Sequence, residues 1–99
     1  MPRFAVYRNP EGVGYLLDIQ ADLLSHLNTR VVVPLLPLAV APKPASTLNP
    51  VFEVEGASVC MVTQFMAAVP AQMLKSPMFS LESRRNDITA AIDLLFQGF

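Results

Sequence analysis

The sequence has little of what most catalytic centres are built from, with one cysteine, one histidine and four glycines in 99 residues. A single cysteine excludes an internal disulfide and fits a reducing compartment, so we expect a cytoplasmic protein. One cysteine and one histidine do not make a zinc site, which needs about four ligands. The sequence also lacks CxxC, HExxH, GxSxG and glycine-rich phosphate-loop motifs. It therefore predicts no cofactor, no metal site and no enzymatic activity.

The two rare residues have ordinary structural interpretations. Histidine often serves as a general base, but no nucleophile or orienting group accompanies His26, so we expect a surface histidine in a loop. Cys60 lies among apolar residues in a predicted strand, which indicates a buried and unreactive thiol.

Charge is scarce and balanced. Charged residues make up 15% of the chain and the formal net charge is −1, which leaves no basic footprint for direct nucleic-acid binding. The longest apolar run, Val31 to Pro42, is too short for a membrane span and is interrupted by prolines. The first residues lack the apolar segment of a signal peptide. We therefore expect a soluble protein that binds neither nucleic acid nor membrane.

Apolar residues, in contrast, make up 53% of the chain, which is more than an average soluble domain contains. The length predicts one domain over residues 1–99. A domain of this size has a limited interior, so we expect a partner to cover some of the apolar surface.

Short strands with turns between them occupy most of the chain. Phe4 to Arg8 and Tyr15 to Gln20 predict an antiparallel hairpin, the second strand half-buried with Leu16, Asp18 and Gln20 on its other face. Arg30 to Leu35 predicts a more fully buried third strand. A second hairpin is predicted from Pro50 to Val54 and from Ala57 to Thr63, turning at Glu55-Gly56 with Phe52 and Val54 inward. Gln64 to Ala68 is interpreted as one helical turn, and Ala71 to Leu74 as a short last strand.

A helix is predicted from Leu81 to Phe99, with Ser80 or Ser83 at its start. Its apolar residues form a stripe, flanked by Leu94 and Phe96, that spans roughly 200° of the circumference. One domain needs little more than half of that arc, so we expect a second copy of the chain to cover the rest. The stripe residues assigned to a dimer interface are Ile88, Ala91, Ile92 and Leu95. The strands and this helix together predict a mainly β α+β fold, a partial barrel with one C-terminal helix.

Several fragments, in this order and spacing, resemble the CcdB-type toxins of bacterial toxin–antitoxin modules, which poison DNA gyrase. The fragments are Phe4-x-Val6-Tyr7, Leu16-x-Asp18-x-Gln20-x-Asp22, Arg30-x-Val32-x-Pro34-Leu35, Leu48-x-Pro50, Met61-x-Thr63-x-x-Met66-Ala67-x-Val69-Pro70 and Asn86-Asp87-Ile88-x-x-Ala91-Ile92-x-Leu94-x-Phe96-x-Gly98. The resemblance covers nearly the whole chain. It implies an SH3-like barrel of antiparallel strands, a homodimer, and a CcdA-like antitoxin as partner.

By the same resemblance, the dimer binds the A subunit of DNA gyrase and traps gyrase on cleaved DNA, without chemistry of its own. The contact positions that the resemblance implies are Leu23, Leu24, Asp93, Phe96, Gln97, Gly98 and Phe99. The sequence departs from the family pattern at the end of the helix. The family typically ends Trp-Gly-Ile, with the indole stacked on a gyrase arginine, whereas this chain ends Gln97-Gly98-Phe99. Gyrase affinity is therefore expected to be lower, or the target to differ.

Two other interpretations stay open. The same barrel is shared with MazF-type toxins that cleave RNA, and Arg30 with Thr29 or Asp18 would be the candidates for that chemistry. Alternatively, the chain is a homologue that folds and binds an antitoxin without poisoning gyrase.

Overall fold

Strand β3 (Thr29–Pro37) lies at the centre of the computed structural model, which describes residues 2–98. The other strands are β1 (Ala5–Arg8), β2 (Tyr15–Asp18), β4 (Val51–Val54), β5 (Ala57–Met61), β6 (Ala67–Pro70) and β7 (Phe79–Ser80). Short 3-10 turns lie at Asp22–Leu24, Thr63–Phe65, Ala71–Met73 and Glu82–Arg84, and helix α1 spans Arg85–Gln97.

Both edges of β3 are used. β2 pairs antiparallel along one edge, with Asp18 opposite Val32. The other edge is shared, because the first half of β3 pairs with β6 and its last residues pair with β5. The order β4-β5-β3-β2-β1-β7, with β6 added on β3, makes the sheet curl into a nearly closed barrel. This confirms the predicted mainly β fold, a partial barrel of antiparallel strands with one C-terminal helix.

The main hydrophobic core lies inside the barrel. It brings together residues of β1 to β5 with Leu81, Ile88 and Ala91, and the predicted inward residues Phe52 and Val54 belong to it. A second cluster lies on the opposite face of the sheet, where Leu74 packs on the side chains Ala5, Tyr7, Leu16 and Val32. The prediction of a half-buried β2 is therefore wrong. Its second face, including Leu16, Asp18 and Gln20, is buried as well.

Two connections depend on glycine. In the β4–β5 hairpin, Glu55 and Gly56 have φ of 53° and 81°, the left-handed pair that a two-residue turn of type I′ requires. In the β1–β2 connection, Gly14 has φ of 83°, and a Cβ at this position would lie 2.3 Å from the carbonyl oxygen of Leu35. The β1–β2 connection therefore packs directly against the backbone of β3.

Three local predictions are corrected. The predicted strand at Ala71 to Leu74 is a 3-10 turn, Ala71–Met73, because Ala71 N–H bonds Asn28 and Leu74 N–H bonds back to Ala71. The helical turn predicted for Gln64 to Ala68 is limited to Thr63–Phe65, since the alanines that follow begin β6. The helix starts later than predicted: Ser80 Oγ accepts from the N–H of Glu82, which opens a 3-10 turn before α1.

Antiparallel pairing of β1 with β7, through Ala5 and Ser80, joins the first strand to the segment that precedes α1. Of the helices in residues 2–98, none has the length and apolar character needed to cross a membrane.

Candidate partner-binding surface

The turn after β2 exposes two leucines, and hydrogen bonds hold the backbone of this turn in place. The 3-10 turn Asp22–Leu24 holds Leu23 at 87% exposure, and Leu24 is also exposed. Side chains fix the turn: the N–H of Arg3 donates to Asp22 Oδ1 at 2.8 Å, and Gln20 Nε2 donates to the carbonyl of Leu24 at 3.0 Å. Leu23 is thus presented to solvent by an ordered segment, which reduces the entropy lost on binding a partner.

The end of α1 exposes an aromatic ring next to polar groups. Phe96 is 68% exposed, and Asp93, Gln97 and Gly98 are exposed as well. Gly98 takes a left-handed conformation with φ of 77°, and its N–H donates to the carbonyl of Leu94 at 3.0 Å. This bond closes the last turn of the helix. Phe99, the remaining predicted contact, lies outside the described residues.

The two predicted parts of the gyrase surface are separate within one protomer. The principal neighbours of α1 in the described chain are the turns Thr63–Phe65 and Glu82–Arg84, not the turn Asp22–Leu24. Sequence reasoning missed Phe65, which is 51% exposed in the turn next to α1. No periodic pattern pointed to it, since Phe65 stands in a single 3-10 turn rather than on a helix or strand face.

The apolar stripe of α1 divides into an inner and an outer part. Ile88 and Ala91 have no accessible surface, because both pack inside the barrel of their own chain. Of the residues assigned to the dimer interface, these two are therefore core residues. Ile92 and Leu95 keep partial exposure and remain available to a second copy. Burial by the barrel alone thus leaves part of the stripe uncovered.

The residues proposed for RNA cleavage are mostly inaccessible. Arg30 Nε and one terminal nitrogen donate to Asp18 Oδ2 at 2.9 and 2.8 Å, and both side chains are 0% exposed. Burial raises the pKa of Asp18, and the hydrogen bonds from Arg30 and from the N–H of Gln20 oppose that rise. The pair is a buried ion pair of the barrel, and only Thr29 of the three candidates is exposed.

The two rare residues lie where the sequence predicts. His26 is exposed in the connection between β2 and β3. Cys60 is buried in β5, and burial raises the pKa of its thiol. A buried thiol held in the protonated form is a poor nucleophile.

The fold matches that of a solved toxin structure. An endoribonuclease in complex with its cognate antitoxin from a mycobacterial species superposes with a TM-score of 0.71 at 16% identity, covering 94% of this chain and 92% of that chain. At this identity the match establishes the shared fold alone. The class defined by the fold is therefore that of small barrels with one C-terminal helix.

The sequence assigns the chain more narrowly. The family model described as CcdB protein matches residues 3–98, nearly the whole chain. The chain belongs to the CcdB family. Membership in this family points to the toxin of a toxin–antitoxin system and implies an antitoxin as a partner.

Proposed function

We propose that this chain is a non-catalytic toxin which, as a homodimer in the cytoplasm, binds the A subunit of DNA gyrase and traps gyrase on cleaved DNA. The observation that carries the proposal is the exposure of Leu23 and Phe96, at 87% and 68%, on ordered backbone. An exposed aromatic ring on an ordered helix end is a candidate interface anchor, because aromatic residues are enriched at protein–protein interfaces. Family membership supports the toxin role and an antitoxin that neutralises it.

Burial of the Asp18–Arg30 pair favours binding over catalysis. Cleavage of RNA by 2′-OH attack needs a base and a cation within hydrogen-bond reach of the substrate. Neither side chain of the pair has accessible surface, so neither reaches a phosphate unless the covered outer face of the sheet opens. The fold shared with an endoribonuclease does not change this, because the same fold hosts different functions.

The homodimer rests on the outer part of the α1 stripe. Ile92, Leu94 and Leu95 are half-buried by the barrel and lie beside the exposed Phe96. A second copy packed here removes this apolar surface from water, at roughly 25 cal/mol per Å². It also places two helix ends on one assembly, which gives a symmetric target two contacts at once.

A gyrase cleavage assay tests the proposal. The purified chain is incubated with gyrase, supercoiled DNA and ATP, and linear DNA is measured after denaturation. We expect linear DNA only when gyrase is present. Phe96→Ala should reduce the trapped fraction about tenfold or more, because an aromatic anchor at an interface contributes about 2 kcal/mol.

Phe79→Ala is the matched control, since it removes an exposed phenylalanine of β7, outside the proposed contact surface. Equal loss with both variants would contradict the assignment of the site. RNA fragments formed without gyrase would support the endoribonuclease alternative instead. Inactivity in both assays, with antitoxin binding retained, would identify a homologue that no longer poisons gyrase.

Gln97→Trp sharpens the test at the position where the chain departs from the family pattern. Tryptophan restores a π face at the exposed helix end, and a desolvated contact with an arginine contributes up to ~2 kcal/mol. We expect tighter binding to the gyrase A subunit in a titration. An unchanged dissociation constant would refute the stacking argument.

Leu95→Glu tests the dimer. A carboxylate at this half-buried position keeps part of its hydration in the monomer and loses the rest in the dimer, so we expect a monomer in sedimentation equilibrium, with circular dichroism to check that the fold is kept. Asn86→Glu, on the exposed face of α1, adds the same charge and should leave the oligomeric state unchanged. A wild-type chain that sediments as a monomer at working concentrations would overturn the dimer.

A further inference from the structure

An open cavity of about 560 Å³ lies between the end of β1 and the segment that leads from the turn Ala71–Met73 to β7. Its size falls within the range of about 300–1,000 Å³ typical of small-molecule sites. The residues that matter for its chemistry are Tyr7, Arg8, Asn9, Met73, Lys75 and Met78. None of the residues assigned to the gyrase surface or the dimer lines it.

Both charged residues of the cavity are positive, and no acidic residue lines it, although the chain as a whole carries a net charge of −1. Arg8 has one ion pair, with Glu55, at 3.9 Å between highly exposed side chains. The guanidinium also lies 5.9 Å from the centre of the Tyr15 ring, on the opposite face of β1 from Tyr7, so it would have to leave both neighbours to reach a ligand. Lys75 has no ion pair with any residue of the described chain.

Tyr7 brings a hydroxyl to the same cavity. The residue as a whole is 2% exposed, and within residues 2–98 its hydroxyl has no hydrogen-bond partner and is not fully enclosed. The hydroxyl is therefore available to a molecule in the cavity. Burial, with a contribution from Asp18, raises the pKa of Tyr7. The phenol therefore stays protonated at neutral pH and acts as a neutral donor.

Methionine supplies an apolar wall. Met73 and Met78 line the cavity and are half-buried, so each keeps surface for contact with a ligand. Methionine side chains adapt to ligands of different shape because they are unbranched and polarizable. The cavity thus combines cations and a hydroxyl donor with an apolar surface.

We propose that this cavity binds a small organic anion, a phosphate monoester or a carboxylate, whose charged group contacts Lys75 and whose apolar body packs on Met73 and Met78. Tyr7 donates a hydrogen bond to the anionic group. The site lies apart from the proposed gyrase surface, so its ligand and the gyrase A subunit can be bound by the same protomer.

Titration of the full chain followed by ¹H–¹⁵N NMR tests the proposal. The probes are phenyl phosphate, benzoate, inorganic phosphate and, as an uncharged control, benzyl alcohol. We expect shifts at residues 7–10 and 73–78, with phenyl phosphate or benzoate binding at about 1 mM or tighter. Inorganic phosphate should bind about tenfold more weakly, because it lacks the apolar body. Tighter binding of phenyl phosphate would indicate a phosphate ligand, and tighter binding of benzoate would indicate a carboxylate ligand.

Variants identify the groups that bind. Lys75→Met should weaken binding about tenfold, which corresponds to a loss of about 1.4 kcal/mol in binding free energy. Lys43→Met removes the same charge from an exposed loop and should leave binding unchanged. Tyr7→Phe keeps the ring and removes the donor, and should weaken binding about threefold. The proposal is overturned by absence of shifts at these residues up to about 20 mM, by equal effects of the two lysine variants, or by equal binding of benzyl alcohol.

Discussion

The barrel and the start of α1 each have an arginine–aspartate ion pair with the same 2.8 Å separation, yet the two pairs lie in opposite environments. Arg30 and Asp18 have no accessible side-chain surface, whereas Arg84 and Asp87 are 43% and 53% exposed. The first pair is part of a second buried face of the sheet, and the second is solvated at the start of the helix. Distance alone therefore says little about what an ion pair contributes, and burial decides it.

The same contrast holds for apolar residues. Strands β1 to β3 are covered on both faces, while α1 has only Ile88 and Ala91 fully buried and leaves Phe96 in water. The barrel is thus almost fully covered, whereas the helix is anchored by two buried residues and keeps apolar surface exposed. Each prediction below tests this contrast between covered and exposed positions.

The largest effect is expected for Asp18→Ala. The substitution leaves the buried guanidinium of Arg30 without its carboxylate, and loss of one partner of a buried pair costs about 3–5 kcal/mol. Asp87→Ala removes an equally short but exposed pair and should cost less than about 0.5 kcal/mol. Urea unfolding of both variants measures the two free energies. Similar costs would contradict the contrast between the two regions.

Ile88→Ala is expected to cost about 3 kcal/mol, because it leaves a cavity where α1 packs into the barrel. Phe96→Ala, two turns further along the same helix, removes a side chain that is mostly in water and should change the free energy of unfolding by less than about 0.5 kcal/mol. Thermal and urea unfolding compare the two. A large loss of stability in Phe96→Ala would mean that this ring supports the fold rather than a partner contact.

Gly14→Ala is expected to destabilise the barrel by about 2–3 kcal/mol, since the new Cβ meets the backbone of β3 in a conformation that already disfavours a side chain. Gly56→Ala is a matched control. Gly56 has nearly the same φ, 81° against 83°, but nothing lies within 4 Å of its Cβ position. It should therefore cost only about 1 kcal/mol, the backbone contribution. Equal costs would show that the close approach of Gly14 to Leu35 is easily relieved.

The smallest effect concerns pH. Burial raises the pKa of the Cys60 thiol above its ordinary value of 9.0, so the folded chain holds this proton more tightly than the unfolded chain does. The resulting stabilisation is complete below pH 9 and is lost as the pH rises through the raised pKa. Cys60→Ala should reduce the loss of stability between about pH 8 and about pH 10 by roughly 1 kcal/mol or less. In the Cys60→Ala variant, Tyr7 accounts for the remaining dependence of the unfolding free energy on pH, because its pKa is also raised. An identical slope in both proteins would contradict the prediction.

Sequence patterns predicted the structural features that depend on residues close together in the chain. The β4–β5 hairpin follows from alternation around Glu55-Gly56, and its inward residues Phe52 and Val54 are in the core. The end of α1 carries no recognisable motif, and only the family resemblance predicted contact positions there. The structure exposes Asp93, Phe96, Gln97 and Gly98, and Phe99 lies outside the described residues.

Features that depend on distant pairing were not predictable in this way. β6 was missed because alanine has little strand preference, and it forms only because β3 offers a free edge. The Asp18–Arg30 pair depends on register: Asp18 lies opposite Val32, which makes Arg30 its diagonal neighbour on the same face. Nothing in the spacing of these residues along the sequence indicates whether that face is covered.

The antiparallel pairing of β1 with β7 has a consequence for synthesis of the protein. The first strand leaves the ribosome early, but its second hydrogen-bonding edge stays open until the segment at Phe79 and Ser80 has emerged. Contacts this far apart in the chain form late and slowly. A nascent chain therefore cannot complete the pairing of β1, or dock α1 on the barrel, until the segments Phe79–Ser80 and Arg85–Gln97 have left the ribosome.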